Sequence, residues 1–104
     1  MNNITPLLFE NVRELAYTGL SSSYATVGSA LAQSSRIIMF KNSTDVDVYI
    51  TDDGTNNKLR LIAGTTDTFD ERTNFMAAKV GTQYSAKVVS GSPTKGAIII
   101  ETAY

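Results

Sequence analysis

The fold of this chain is decided by residues 36–54, which read RIIMFKNSTDVDVYITDDG. The four consecutive apolar residues at 37–40 predict a strand covered on both faces. Residues 41–44 are turn-prone, and residues 46–50 then alternate between apolar and polar, which is the period of a half-buried strand. Because Asp and Gly at 52–54 end this segment with a second turn signal, we predict two consecutive β-strands joined by a tight turn.

The same pattern recurs along the rest of the chain. Short β-type runs separated by turn signals occur roughly every 8–12 residues, and no long amphipathic helix interrupts them. The further candidate strands are residues 11–18, 24–31, 59–62, 65–69, 75–80, 84–89 and 97–104. Residues 11–18 are also compatible with one or two helical turns, but such a short helix is intrinsically weak, so we favour a strand. We predict an all-β fold, an antiparallel β-sandwich of jelly-roll or Ig-like type with about 7–9 short strands.

The length predicts one domain preceded by an arm. A chain of 104 residues with 42% apolar residues is of ordinary single-domain size and can build a core. We assign residues 11–104 to the sandwich and residues 1–10 to an N-terminal arm, which Pro6 interrupts. The apolar cluster Leu7, Leu8 and Phe9 in this arm either packs on its own domain or docks on a neighbouring subunit.

Charge and composition exclude several functional classes. The net charge is −1, and the 9 basic and 10 acidic residues form no basic cluster, so we expect no nucleic-acid partner and no membrane attraction. The chain has no cysteine and no histidine, which removes disulfides, thiolate metal sites and the commonest general base. The N-terminus lacks the pattern of a signal peptide, so we expect no classical secretion. We expect no cofactor.

The acidic residues form no recognisable catalytic or metal-binding motif. Four aspartates lie within residues 45–53, but their spacing does not match a calcium-binding loop, and a solvated turn is the simpler interpretation. Asp70 and Glu71 are adjacent, so on a strand their carboxylates point to opposite faces and cannot flank one substrate. The serines and threonines have no histidine to activate them. We therefore expect no enzymatic activity.

One tyrosine is a candidate for partner contact. Tyr49 lies at an outward position of the alternating segment 46–50, where a large rigid ring is available to a ligand. Sheet-surface packing is the alternative interpretation of this residue. If the ring does bind a ligand, the protein is a carbohydrate- or receptor-binding module, and this is our second hypothesis for its function.

Residues 36–54 resemble a group of small virion proteins of tailed bacteriophages. In that group a strand ending in Asn-x-Thr-Asp leads into a strand ending in Asp-Gly, as it does here. Residues 63–65 (AGT), 81–84 (GTQY) and 92–97 (SPTKGA) are similar to the same group. With weaker similarity upstream, the resemblance covers most of residues 12–104.

The resemblance implies a non-enzymatic structural protein. Proteins of this group are β-sandwiches that occur in many copies on the particle, where they decorate the capsid or surround the neck between head and tail. The expected partners are copies of the same chain and capsid, portal or neck components. The expected location is the virion, after synthesis in the host cytoplasm. No catalytic residues follow from the resemblance, and our candidate contact residues remain Leu7, Leu8, Phe9 and Tyr49.

Overall fold

Eight β-strands account for nearly all regular structure in the computed structural model, which describes residues 7–70 and 78–104. A short 3-10 turn, Tyr17–Gly19, follows the first strand. In these two ranges no helix is long and apolar enough to cross a membrane. The strands are β1 (Arg13–Ala16), β2 (Ala25–Thr26), β3 (Ile37–Asn42), β4 (Val48–Thr51), β5 (Leu59–Leu61), β6 (Thr66–Asp70), β7 (Ser85–Val88) and β8 (Ala97–Ala103).

The strands form two four-stranded antiparallel sheets. Sheet A has the order β1-β8-β3-β6, and sheet B has the order β2-β7-β4-β5. The inner faces of both sheets contribute to one apolar core, and this confirms the predicted all-β antiparallel sandwich. The core residues with almost no exposed surface are Val27, Val48, Ile50, Leu61, Ala86, Ile98 and Ile100.

Strand β8 is central to sheet A because β1 and β3 pair with it on opposite sides. Its side chains alternate, so that Ile98 and Ile100 are buried in the core while Ile99 and Glu101 are half-buried on the outer face. The β-branched sequence of this segment predicts such a strand, since branched side chains fit a pleated surface.

The prediction that residues 37–40 are covered on both faces is wrong. In β3 only Ile38 and Phe40 face the core, while Ile37 and Met39 lie half-buried on the outer face of sheet A. A two-layer sandwich covers only one face of each sheet, so a run of apolar residues in it always leaves every second side chain outside. The outer face of sheet A is therefore more apolar than strict alternation would make it.

Two other predicted strands differ from the structure. The strand predicted over 24–31 is reduced to β2, because Gly28 adopts a φ of +65° and turns the chain away. A Cβ at Gly28 would lie 2.7 Å from the Cβ of Arg13, so this position requires a residue without a side chain. Of the strand predicted over 75–80, residues 75–77 lie outside the described ranges, as does Glu71, and Ala78 forms an isolated bridge with Ser35.

The first predicted strand is present but shorter. The helical alternative for residues 11–18 is excluded, because β1 covers positions 13–16. Val12 and Tyr17 are exposed, whereas Arg13 is buried. The reason is the irregular pairing that precedes β1, which is described below.

Candidate functional site

The described part of the predicted arm is paired with the end of β8. The amide of Leu8 donates to the carbonyl oxygen of Tyr104 (2.9 Å), and the amide of Tyr104 donates back to the carbonyl oxygen of Leu8 (2.8 Å). The amide of Glu10 donates to the carbonyl oxygen of Thr102 (3.1 Å). Residues 8–10 therefore continue the edge of sheet A beyond β1. Residues 1–6 of the predicted arm lie outside the described ranges.

A β-bulge separates this segment from β1. Phe9 is paired with Ala103, and Arg13 is paired with Ile100, so the N-terminal strand has one residue more than β8 between these two registers. An extra residue reverses which side chains face the core after it. The bulge thereby turns Arg13 inward and leaves Val12 in solvent.

Arg13 is the centre of a buried polar cluster. Its side chain is 4% exposed and forms an ion pair with Glu10, whose side chain is 9% exposed, over 2.6 Å. The guanidinium also donates to the carbonyl oxygens of Ser29 (2.6 Å) and Ala30 (3.1 Å) and to the hydroxyl of Thr102 (3.1 Å). One side chain thus connects the N-terminal strand, the loop after β2 and strand β8.

The carboxylate of Glu10 completes this cluster. Its Oε1 accepts the amide of Ala32 (3.2 Å), and its Oε2 accepts the amide of Gln33 (3.1 Å). Burial by itself raises the pKa of Glu10, but the hydrogen bonds from Arg13, Ala32 and Gln33 outweigh it, and the pKa is lowered below its ordinary value. Glu10 is therefore charged at neutral pH and holds the segment before β1 in place.

The apolar side chains of this segment remain exposed although its backbone is fixed. We call Leu7, Leu8, Phe9 and Val12 the N-terminal strip; their exposed fractions are 42%, 53%, 65% and 59%. Phe9 is paired with Ala103 and so lies on the outer face of sheet A. The sequence left open whether the cluster at 7–9 packs on its own domain or docks on a neighbour. The backbone of this segment is bound to its own domain, and its side chains are exposed to another surface.

Tyr49 lies on the outer face of sheet B, where the alternation of its strand predicts it. Its register partners are Arg60 on β5 and Lys87 on β7. The Nζ atom of Lys87 lies 4.7 Å from the ring centroid of Tyr24, which is a cation–π contact. We call Tyr24, Lys87, Tyr49 and Arg60 the aromatic–cationic row.

The two outer residues of this row, Arg60 and Tyr24, are held by specific hydrogen bonds. Arg60 donates to Asp47 over 2.8 Å, and the amide of Ala63 donates to the same carboxylate over 2.9 Å. These two bonds lower the pKa of Asp47, and the bond to Asp47 raises the pKa of Arg60. The hydroxyl of Tyr24 donates to Asn57. The row is thus fixed at both ends.

Of the four aspartates considered as a calcium site, Asp53 holds the turn after β4. The carboxylate of Asp53 accepts the amides of Asn56 and Thr55, the side-chain amide of Asn56 and the hydroxyl of Thr51. These donors hold the pKa of Asp53 far below its ordinary value. In residues 7–70 and 78–104 no three His, Cys, Asp or Glu side chains are grouped in a way that could hold a metal ion.

A cavity of about 560 Å³ opens between the two sheets. Its walls are largely apolar, and they include Phe40, Phe69 and Tyr84, whose rings meet edge to face. Burial raises the pKa of Tyr84 to about 12, so this phenol stays protonated at neutral pH.

The polar cluster around Arg13 is what reasoning from sequence missed. Glu10 and Arg13 stand three residues apart, which is a possible ion pair, but an arginine in a strand next to apolar residues is normally assigned to solvent. Lys87 and Arg60 were missed as neighbours of Tyr49 because strand pairing has to be known before residues distant in sequence can be placed side by side.

Comparisons with protein-family models, with curated proteins and with solved structures find no match. Two surfaces of the molecule are candidates for function. One is the N-terminal strip, which is apolar and exposed. The other is the aromatic–cationic row on the outer face of sheet B.

Proposed function

We propose that this protein is a non-enzymatic structural protein of a tailed-phage virion, which assembles in multiple copies on the head exterior or at the head–tail neck. The observation that carries the proposal is the N-terminal strip, four exposed apolar side chains on a fixed backbone. The resemblance of residues 36–54 to small virion proteins supports the assignment to a phage particle.

The N-terminal strip has the properties of an association site. Burying an exposed leucine or phenylalanine side chain completely contributes roughly 1.5–3 kcal/mol. The backbone of Leu8 and Glu10 is already bound to β8, so little conformational entropy is lost when the strip docks. Exposed apolar groups on a rigid edge therefore favour association with another protein surface.

Such a protein acts by binding its neighbours and not by changing a substrate. Its contacts bury area against copies of itself and against capsid, portal or neck proteins, and each occupied site stabilises the folded partners by mass action. The chain contains neither histidine nor cysteine for chemistry at such a contact. The protein acts in the virion after synthesis in the host cytoplasm.

The proposal is tested on particles of the phage or prophage that carries this gene. Mass spectrometry of gradient-purified particles is expected to detect the protein in many copies per particle. The double variant Leu8→Ser/Phe9→Ser is expected to fold but to be depleted from the particles. The matched control is Val80→Ser, which removes an equally exposed apolar side chain outside the strip and leaves incorporation unchanged. Purified particles that lack the wild-type protein contradict the proposal.

The aromatic–cationic row favours a second candidate function, a carbohydrate- or receptor-binding module. Tyr49 presents a half-buried ring between two cations, and such a ring binds flat ligands at low entropic cost. The test is binding to a glycan array. Loss of a specific signal in Tyr49→Ala with retention in Tyr49→Phe supports this function, whereas no wild-type signal argues against it.

A further inference from the structure

The outer face of sheet A combines apolar side chains with the exposed carboxylate of Glu14. Ile37, Met39 and Ile99 are half-buried there, and Lys41 and Glu101 form an ion pair of 2.9 Å on the same face. Glu14 is exposed and lies opposite Ile99 in the register of β1 and β8. No basic group of the described residues is within salt-bridge distance of Glu14.

The outer face of sheet B also combines an apolar surface with an ion pair and one further charge, which is positive instead of negative. Its apolar surface comes from the rings of Tyr24 and Tyr49, and Arg60 and Asp47 form an ion pair of 2.8 Å. Lys87 lies between the two rings, and in the described part of the chain no carboxylate is within salt-bridge distance of it. Among the described residues, each face thus has an ion pair, and Glu14 on one face and Lys87 on the other lie beyond salt-bridge distance of an opposite charge.

We infer that the outer face of sheet A in one copy packs against the outer face of sheet B in the next copy, with Glu14 facing Lys87. The inference rests on the proposed function, because it names the partner that a self-assembling protein uses. Packing two A faces together brings Glu14 of each copy into a common interface, and packing two B faces does the same with Lys87. Like charges at an interface cost free energy, and in the mixed arrangement Glu14 faces Lys87 instead of a group of its own sign.

This arrangement has a definite consequence for assembly. The two faces lie on opposite sides of the sandwich, so one molecule can bind two neighbours at the same time. A contact between two different surfaces is heterologous, and repeating it produces a closed ring or an open filament rather than a two-fold dimer. A ring of this kind fits a protein that surrounds the neck of a particle.

The experiment is a charge exchange followed by sedimentation velocity over a range of protein concentrations. Glu14→Lys and Lys87→Glu, each alone, are expected to weaken self-association about tenfold, because each places like charges in contact. The double variant Glu14→Lys/Lys87→Glu is expected to recover it, and so is an equimolar mixture of the two single variants. The control Lys95→Glu makes the same charge change in the loop between β7 and β8 and is expected to have no effect.

The outcomes separate this inference from the proposed function. Self-association that is unchanged in both single variants, or not recovered in the double variant, overturns the inference. A wild-type chain that stays monomeric at every concentration also overturns it, and the particle experiment still decides the proposed function. If Lys87→Glu abolishes binding to a glycan while Glu14→Lys leaves self-association unchanged, the outer face of sheet B is a ligand site and the inference is wrong.

Discussion

The Oε1 atom of Glu10 lies 2.6 Å from a guanidinium nitrogen of Arg13, and this ion pair spans the bulge between the N-terminal segment and β1. Both side chains are almost completely covered, and together they bind the loop at residues 29–33. A buried charge that loses its partner is strongly unfavourable. The pair therefore determines where the N-terminal strip lies on the molecule.

Replacing Arg13 by alanine is expected to destabilise the fold by on the order of 3 kcal/mol, because Glu10 is left buried and unpaired. The measurement is the free energy of unfolding in urea. The matched control is Arg60→Ala, which removes an arginine from an exposed ion pair and is expected to unfold at nearly the wild-type urea concentration. Equal effects of the two substitutions contradict the assignment of Arg13 as a structural residue.

Stability is expected to decrease in acid, in part through Glu10. The pKa of this carboxyl is lower in the folded chain than its ordinary value of 4.5, so the unfolded chain binds more protons in the interval between the two values. The contribution of Glu10 is therefore complete above 4.5 and is lost as the pH falls through the folded pKa. The difference in unfolding free energy between wild type and Glu10→Gln is expected to be largest near neutral pH and to shrink below 4.5.

This comparison isolates Glu10 from the other carboxyl groups. The pKa values of Asp45, Asp47 and Asp53 are also lowered, so wild-type stability alone falls in acid for several reasons. Those aspartates are present in both proteins, and their effects cancel in the difference. A difference that is independent of pH shows that the charge of Glu10 is not what stabilises the segment.

Two glycine substitutions separate backbone strain from steric overlap. Gly54 and Gly96 both have positive φ values, +77° and +84°. A Cβ at Gly96 would lie 2.1 Å from the carbonyl oxygen of Ser43, whereas a Cβ at Gly54 would contact nothing within 4 Å. We expect Gly54→Ala to cost about 1 kcal/mol and Gly96→Ala to cost at least about 3 kcal/mol.

The measurement is the melting temperature of both variants, obtained from thermal unfolding followed by circular dichroism. The large effect at Gly96 has a structural reason, since the amide of Ala97 donates to the Ser43 hydroxyl and the amide of Ser43 donates to the Ala97 carbonyl oxygen. These bonds join the turn after β3 to the first residue of β8. Equal melting temperatures of the two variants indicate that this close approach is not maintained in solution.

Adjacent isoleucines of β8 are expected to respond differently to truncation. Ile100→Ala creates a cavity in the core and is expected to cost about 3–4 kcal/mol. Ile99→Ala removes the same atoms from the half-buried outer face and is expected to cost about 1 kcal/mol. Urea unfolding of both variants checks the assignment of faces, and the reverse order of effects contradicts it.

The fold could be predicted from the sequence because its signals are local. Alternation in residues 46–50 places Val48 and Ile50 in the core and Tyr49 outside, as observed. The inward position of Arg13 could not be predicted, because the bulge is defined by the register with β8 far along the chain. A single inserted residue exchanges the two faces of a strand, and for this reason Arg13 is buried while Val12 is exposed.

The candidate surfaces were predictable to a smaller extent. From sequence alone, residues 7–9 and Tyr49 are candidates for partner contact, with packing on their own domain or sheet as the alternative. The cations beside Tyr49 and the position of Glu14 opposite Ile99 are properties of two assembled sheets, since Lys87 meets Tyr49 only after β7 has paired with β4. Charge balance on a face follows from tertiary pairing and has no local signature.

The position of β8 between β1 and β3 affects how the molecule is made in the cell. Arg13 and Thr102 form a hydrogen bond although 89 positions separate them along the chain. During translation β1 emerges from the ribosome long before the strand that covers its edge. Sheet A therefore cannot close until β8 has been synthesised, and the nascent chain carries an open strand edge until then.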